Sequence, residues 1–342
     1  MTTLLEQRYR TVLRLLPAYY RAEREEEMVE TCLHGIDEND QDEMRPAWGE
    51  VASVAALAVR SRMGGAGAPA RYAAAGSAVR LFALLSVLLQ AASALTERAV
   101  SLAWFHGAAP ADRDIYLDAF TRHGAFESAR ATAMWLLPLL WAAAYAALVR
   151  DRRTVALVCA ALAALPSLTF VLDWAMGWAL GPASALSYAT AAFAWLTVLA
   201  LCCGFHSDAP PARLPLGTPG LVLLGVCVLM GATNVSWTEG ADMAWGDGWA
   251  FTAAALAWLI AALRPSKRGT GPMADPALPL ALAGLGLAVL AVRACTLTLW
   301  ADANLPGATV PVGGAQVAVL ALLVASLAVA GSRNLAARLR TD

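Results

Sequence analysis

Along the chain the hydrophobic pattern changes once, near residue 63. Before that point apolar residues recur at helical spacing within polar sequence. Leu5, Tyr9, Val12, Leu13 and Leu16 form one stripe, and Pro17 ends it. A second stripe runs Tyr19, Ala22, Val29, Leu33 and Ile36, with Glu25, Glu26 and Glu27 mostly on its other side. Asp37 to Asp42 reads as a polar linker. A third helix from about Pro46 to Met63 is expected to bury Trp48, Val51, Val54, Ala55 and Ala58. Residues 1–62 therefore predict a three-helix module, too small to be robust alone. It would lean on a partner, a second copy or the membrane.

Residues 63–78 are rich in Gly and Ala and read as a linker. Beyond them, eight apolar segments are long enough to cross roughly 30 Å of hydrocarbon. They lie near 79–105, 130–149, 154–174, 184–204, 217–237, 246–263, 277–300 and 311–331. The expected fold is all-α: a polytopic membrane protein whose eight helices (79–331) form four hairpins, followed by a basic tail at 332–342.

Composition agrees. Of 342 residues, 59% are hydrophobic and 15% charged, against about 45–50% and 25% in soluble domains. Mean hydropathy is +0.55. These values exclude an ordinary soluble enzyme and a disordered chain. A net charge of −1 gives no basic excess for a nucleic-acid partner. The polar start predicts no cleavable signal peptide. Lys267 is the only lysine and alanine is over-used, a bias of GC-rich bacterial genomes, so a bacterial cytoplasmic membrane is expected.

Orientation follows from basic residues in the loops. With the N-terminus inside, the inner flanks carry Arg60, Arg62, Arg71, Arg80, Arg150, Arg152, Arg153, Arg213, Arg264, Lys267, Arg268, Arg333, Arg338 and Arg340. The outer loops carry only Arg113, Arg122 and Arg130. Both termini are expected in the cytoplasm.

The odd-numbered segments end in Trp104, Trp174, Trp237 and Trp300, at spacings of 70, 63 and 63. Duplicated hairpins would give this, and so would hairpins cut to one bilayer thickness. Seven residues before these tryptophans lie Glu97, Ser167, Met230 and Arg293. Glu97 and Arg293 therefore share a depth about 10 Å inside the outer boundary. A charge in a span seeks a counter-charge or water, so Arg293 is expected to pair with Glu97, or failing that with Asp173.

The outer third collects the candidate chemistry: Glu97, Arg98, Asp173, Asn234, Arg293 and Asp302, with Trp104, Trp174, Trp178, Trp237, Trp245, Trp249 and Trp300. An outward cavity with a polar base and aromatic rim is one reading, with Glu97, Asp173, Trp174, Asn234, Trp237, Arg293 and Trp300 as ligand-binding residues. An interfacial aromatic belt with snorkelling charges is the other. The first outer loop, 106–129, predicts a short surface helix carrying Ile115, Tyr116, Ala119 and Phe120. Its His106, Asp112, Asp114, Asp118, His123 and Glu127 lack the spacing of a helix-borne metal site. Pro138 and Pro166 predict kinks, and the small residues around Gly284 and Gly286 a close helix contact. The six cysteines read as apolar packing residues. There is no nucleophile motif, zinc-protease motif or phosphate loop. No enzymatic activity, metal or cofactor is expected.

Arg8, Tyr9, Arg10, then Leu13 to Arg21, then Glu25 to Val29, with Glu50 to Ser53 and Arg60 to Gly64, resemble the N-terminal helical module called HAAS. The resemblance covers about a fifth of the chain. It implies a bacterial multi-pass membrane protein, of a kind often encoded beside PadR-type regulators and thought to serve membrane signalling or accompany transport. No site residues carry over. Together these readings imply an outward-facing site coupled to a protein partner through residues 1–62. A transporter centred on Glu97, Asp173 and Arg293 is the alternative.

Overall fold

The computed structural model describes residues 3–34, 44–64, 68–121, 124–169, 182–206, 220–221, 224–225, 276–302 and 309–340. Every regular element among them is helical. In chain order they are α1 (Leu4–Leu13), α2 (Ala18–Leu33), α3 (Trp48–Arg62), α4 (Ala70–Gly107), α5 (Pro110–Thr121) and α6 (Ala125–Leu136). Then come α7 (Leu140–Val149), α8 (Arg153–Ala164), α9 (Pro182–Gly204), α10 (Ala277–Asp302) and α11 (Thr309–Arg338). Short 3₁₀ turns, Leu137–Leu139 and Leu165–Ser167, sit at Pro138 and Pro166, where the missing N–H breaks the helical ladder.

Among the described residues, five helices are long and apolar enough to cross a membrane: Ala70–Gly107, Ala125–Val149, Ala185–Gly204, Ala277–Asp302 and Val310–Arg338. Arg153–Ser167 is a shorter apolar helix. The segments expected near 217–237 and 246–263 fall almost wholly outside the described residues.

The N-terminal module has its own core of Tyr9, Leu13, Leu16, Val29, Val54 and Ala58. Thr3 caps α1 by accepting the Glu6 N–H at 3.4 Å. Arg10 joins α1 to α2, donating to Glu6 at 3.0 Å and to both Glu26 oxygens at 2.9 Å. Trp48 is 88% exposed rather than buried. It opens α3, and at about 100° per residue it lies on a different face from Val54 and Ala58. Burial pushes the Tyr9 phenol and the Cys32 thiol above their usual values. The folded module therefore holds these protons more tightly than the unfolded chain does. Its stability should be complete below about pH 9 and decline as pH rises through the raised values. A tyrosinate difference titration should show Tyr9 ionising late, together with exposure of Cys32 to alkylation.

The module is fastened to α4. The Tyr19 hydroxyl donates to the Ser61 carbonyl at 2.7 Å, and its ring lies 5.2 Å from that of Tyr72. At Gly76 the Met63 carbonyl presses so closely on α4 that a Cβ would overlap it. Gly64 turns the chain there at φ +80°, in the left-handed region that favours glycine. The helix starts at Ala70, just after Pro69, inside the segment expected to be a linker. At 1.5 Å per residue its 38 residues span about 57 Å, well beyond the roughly 30 Å of hydrocarbon.

In the bundle, α4 is central and packs against α7, α9 and α10. Small residues permit the close approach. Ala83, Val87 and Ala91 of α4 share one core with Trp141, Ala144 and Tyr145 of α7 and with Ala156 and Ala160 of α8. A second core joins Phe193 of α9 to Leu282, Leu285 and Val289 of α10 and Leu320 and Leu327 of α11.

Candidate functional site

The end of α4 remote from the module carries Arg98, Leu102 and Phe105, spaced four and three residues apart and so on one face. Against that face fold α5, within the stretch expected to be the first outer loop, and α6, which runs from that loop into the second expected span. Tyr116 is the keystone. Its ring lies 5.9 Å from Trp104, 5.5 Å from Phe105 and 5.6 Å from Phe120. Its hydroxyl accepts the Trp135 indole N–H at 3.1 Å. The surface helix is thus latched to α6 by one polar contact within an aromatic cluster. Ile115 is 69% exposed on its other side, which suits a helix lying at an interface.

Between these three helices lies an apolar cleft of about 320 Å³. It is open on one side and lined by Leu102 and Phe105 of α4, Tyr116, Leu117 and Phe120 of α5, and Thr132, Trp135 and Leu136 of α6. Two cations flank it. Arg113 stands over the Phe105 ring at 5.9 Å and donates to the His106 carbonyl at 2.6 Å. It makes no ion pair among the described residues. Arg98, whose side chain is 12% exposed, stands over the Trp135 ring at 5.7 Å.

Arg98 is held by a backbone defect. Pro138 has no N–H to give the Met134 carbonyl, and the 3₁₀ turn that follows draws donors away from the Trp135 carbonyl. Arg98 fills both vacancies, donating Nη2 to Met134 at 3.0 Å and Nε to Trp135 at 2.8 Å. The second kink is satisfied locally: the Leu165 N–H reaches the Leu162 carbonyl, which Pro166 cannot serve, while Ser167 donates to the Ala164 carbonyl at 2.6 Å and accepts the Trp195 indole N–H at 3.1 Å.

Glu97 pairs with Arg98 at 2.9 Å and is 68% exposed. The expected Glu97–Arg293 pair does not form, because shared depth does not bring the two to a shared face. Arg293 is 2% exposed. It donates to Gln316 of α11 at 2.6 Å and lies 4.7 Å above the Trp300 ring, seven residues on. Trp300 is 6% exposed, and a Cβ on Gly313 of α11 would meet its ring at 3.2 Å. It is a packed residue and not part of an open rim. Asp173, Trp174, Asn234 and Trp237 lie outside the described residues.

The structure thus brings Arg98, Trp104 and the aromatic face of α5 together, and keeps Glu97 and Arg293 apart. The sequence reading named Tyr116 and Phe120 as surface residues but did not join them to Trp135. The signal was the spacing of Arg98, Leu102 and Phe105, repeated opposite by Tyr116 and Phe120. Among the described residues no cluster of His, Cys, Asp or Glu could hold a metal ion. The arrangement can seat an apolar or aromatic group and set positive charge beside it. No family model, curated protein or solved structure matches this chain.

Proposed function

We propose that this protein is a membrane-embedded coupler: an amphiphilic ligand enters the aromatic cleft, and its occupancy is passed along α4 to the N-terminal module. The observation that carries this reading is the continuity of α4. One unbroken helix bears the cleft wall at Leu102 and Phe105 and the module joint at Tyr72 and Gly76. A helix packed on several sides moves as a body between discrete arrangements, so a ligand that favours one arrangement biases the other end.

A volume of about 320 Å³ is at the lower end of small-molecule sites, roughly 300–1,000 Å³. It suits one acyl chain or aromatic ring system rather than a two-tailed lipid. The flanking guanidiniums favour an acidic headgroup. The basic bias of the module-side loops supports placing the module in the cytoplasm and the cleft outside, in a bacterial cytoplasmic membrane. The resemblance to HAAS modules supports a protein partner for residues 1–62 and a signalling or accessory role. A transporter built on Glu97, Asp173 and Arg293 has less support, since Glu97 is exposed and paired elsewhere.

The test is equilibrium binding of a fluorescent long-chain fatty acid to the full-length protein in nanodiscs. Tyr116→Ala removes the latch and three ring contacts, and should weaken binding about tenfold or more. Hydrogen exchange at Ser61–Met63 should change on binding in the intact protein. Binding that leaves this joint unaltered would refute the coupling. Equal affinity of Tyr116→Ala and wild type would refute the cleft as the site.

A further inference from the structure

Helix α3 carries two apolar faces, and the module core uses one of them. Val54, Ala58 and Ser61 fall together at helical spacing and are buried. Trp48, Ala52, Ala55 and Val59, spaced four, three and four residues apart, form a second stripe about 110° round from the first. Trp48, Ala52 and Val59 are exposed and Ala55 is half-buried. The stripe carries no acidic residue. Glu50 lies on the far side of α3, where its carboxylate accepts the Ala47 N–H at 2.9 Å. Its flanks are basic. Arg62 continues the stripe, Arg45 precedes Trp48, and Arg71 lies in the first turn of α4. All three are exposed, and none makes an ion pair among the described residues.

The place of α3 in the fold decides what can cover this stripe. Its C-terminal end is locked to α4 through Met63 and Gly64, against Gly76 and Ala73. At Arg80 the last residue of α9, Gly204, packs against α4 and marks the end of the spanning bundle. The lock therefore stands about 6–10 Å beyond the bundle's end, at 1.5 Å per residue. The headgroup layer on each side of the hydrocarbon is about 5–8 Å deep. Helix α3 touches α9 as well as α4, so it is held at the ends of two spans. The stripe itself, about 22 Å long and about 10 Å wide, covers on the order of 200 Å². A stable protein interface takes roughly 800 Å² from each partner. A bilayer surface needs no such area, because the module is already tethered beside it. An apolar stripe headed by tryptophan and edged by arginine is the composition of a helix lying in the interface. An anionic leaflet complements its charge.

We propose that α3 rests on the bilayer surface, with Trp48 and Val59 in the headgroup layer and Arg45, Arg62 and Arg71 facing anionic lipid headgroups. This surface is distinct from the cleft, and the proposal stands without it.

The experiment places the fluorophore NBD on Ala52→Cys, within the stripe, or on Ser53→Cys, exposed about 100° away. The full-length protein is used, with its native cysteines replaced by alanine. In nanodiscs containing phosphatidylglycerol, nitroxide-labelled lipid should quench the label at position 52 about threefold more than that at 53. Aqueous iodide should show the reverse order. Phosphatidylcholine in place of phosphatidylglycerol should shrink the difference, and Trp48→Ser should abolish it. Equal lipid quenching at both positions would overturn the proposal. So would a label at 52 shielded from lipid and iodide alike, which marks a second copy or another protein as the cover. Should the cysteine-free background fail to fold, hydrogen exchange on the wild-type chain reads the same surface. Protection of α3 should be higher in phosphatidylglycerol than in phosphatidylcholine discs, and Trp48→Ser should lose that gain. Protection indifferent to lipid charge and to Trp48 would overturn the proposal equally.

Discussion

Arg98→Ala should destabilise the helix bundle by about 2–4 kcal/mol, as two part-buried carbonyls lose their donors and the Trp135 ring its cation. The expectation follows from Pro138. A helix that lacks one N–H leaves the carbonyl four residues earlier without a partner, and in hydrocarbon no water replaces it. Arg98 supplies both missing bonds, to Met134 and Trp135. A double-mutant cycle isolates this role. In a Pro138→Ala background, residue 138 regains an N–H able to reach Met134, so Arg98→Ala should cost about half as much there. The measurement is unfolding in lipid–detergent mixtures for wild type, both single variants and the double variant. An equal cost in both backgrounds would show that Arg98 acts through Glu97 or Trp135, and that the carbonyls find other donors. The same variant should weaken fatty-acid binding, because Arg98 fixes the Trp135 end of the cleft.

The cycle also shows what the sequence could and could not reveal. Apolar length marks a span wherever a continuous helix follows, so α4, α9, α10 and α11 are legible from hydropathy alone. Pro138 and Pro166 are legible as kinks because the missing N–H is a local property. The residue that repairs the kink at Pro138 is not local. Nothing in the sequence brings Arg98 to Met134, 36 residues away. The expected Glu97–Arg293 pair rested on depth, a one-dimensional coordinate, whereas a helix also has azimuth. Arg293 shares its face with Trp300 seven residues later and turns to Gln316, a neutral partner that a search for opposite charge passes over. The reading of 63–78 as a linker gave small residues more weight than Pro69, which marks a helix start. Alanine and glycine in such a stretch can be a flexible tether or a close-packing surface. Only a neighbouring backbone, here Met63 and Gly64, decides between them.

Gly76→Ala should loosen the N-terminal module while leaving the bundle intact, against the usual sign of the substitution. Within a helix, alanine is ordinarily favoured over glycine by up to about 1 kcal/mol. At position 76 the added methyl would occupy the space of the Met63 carbonyl. That carbonyl cannot yield easily. Gly64 beside it is held at φ +80°, and its own open side faces the Ala73 Cα, which a Cβ would meet at 2.9 Å. Two backbones are therefore locked across two glycines, and overpacking such a contact costs about 1–3 kcal/mol. The penalty falls on the joint, because the cores of the bundle are built from other residues. Hydrogen exchange should accelerate about tenfold at the end of α3, with α7 and α10 unchanged. If the module transmits cleft occupancy, this variant should bind fatty acid with wild-type affinity yet show no ligand-dependent change at Ser61–Met63. A joint that stays protected in Gly76→Ala would mean that the Met63–Gly64 turn shifts without cost. Signal that survives a loosened joint would mean that the module senses the bundle by another route, through the contact between α3 and α9.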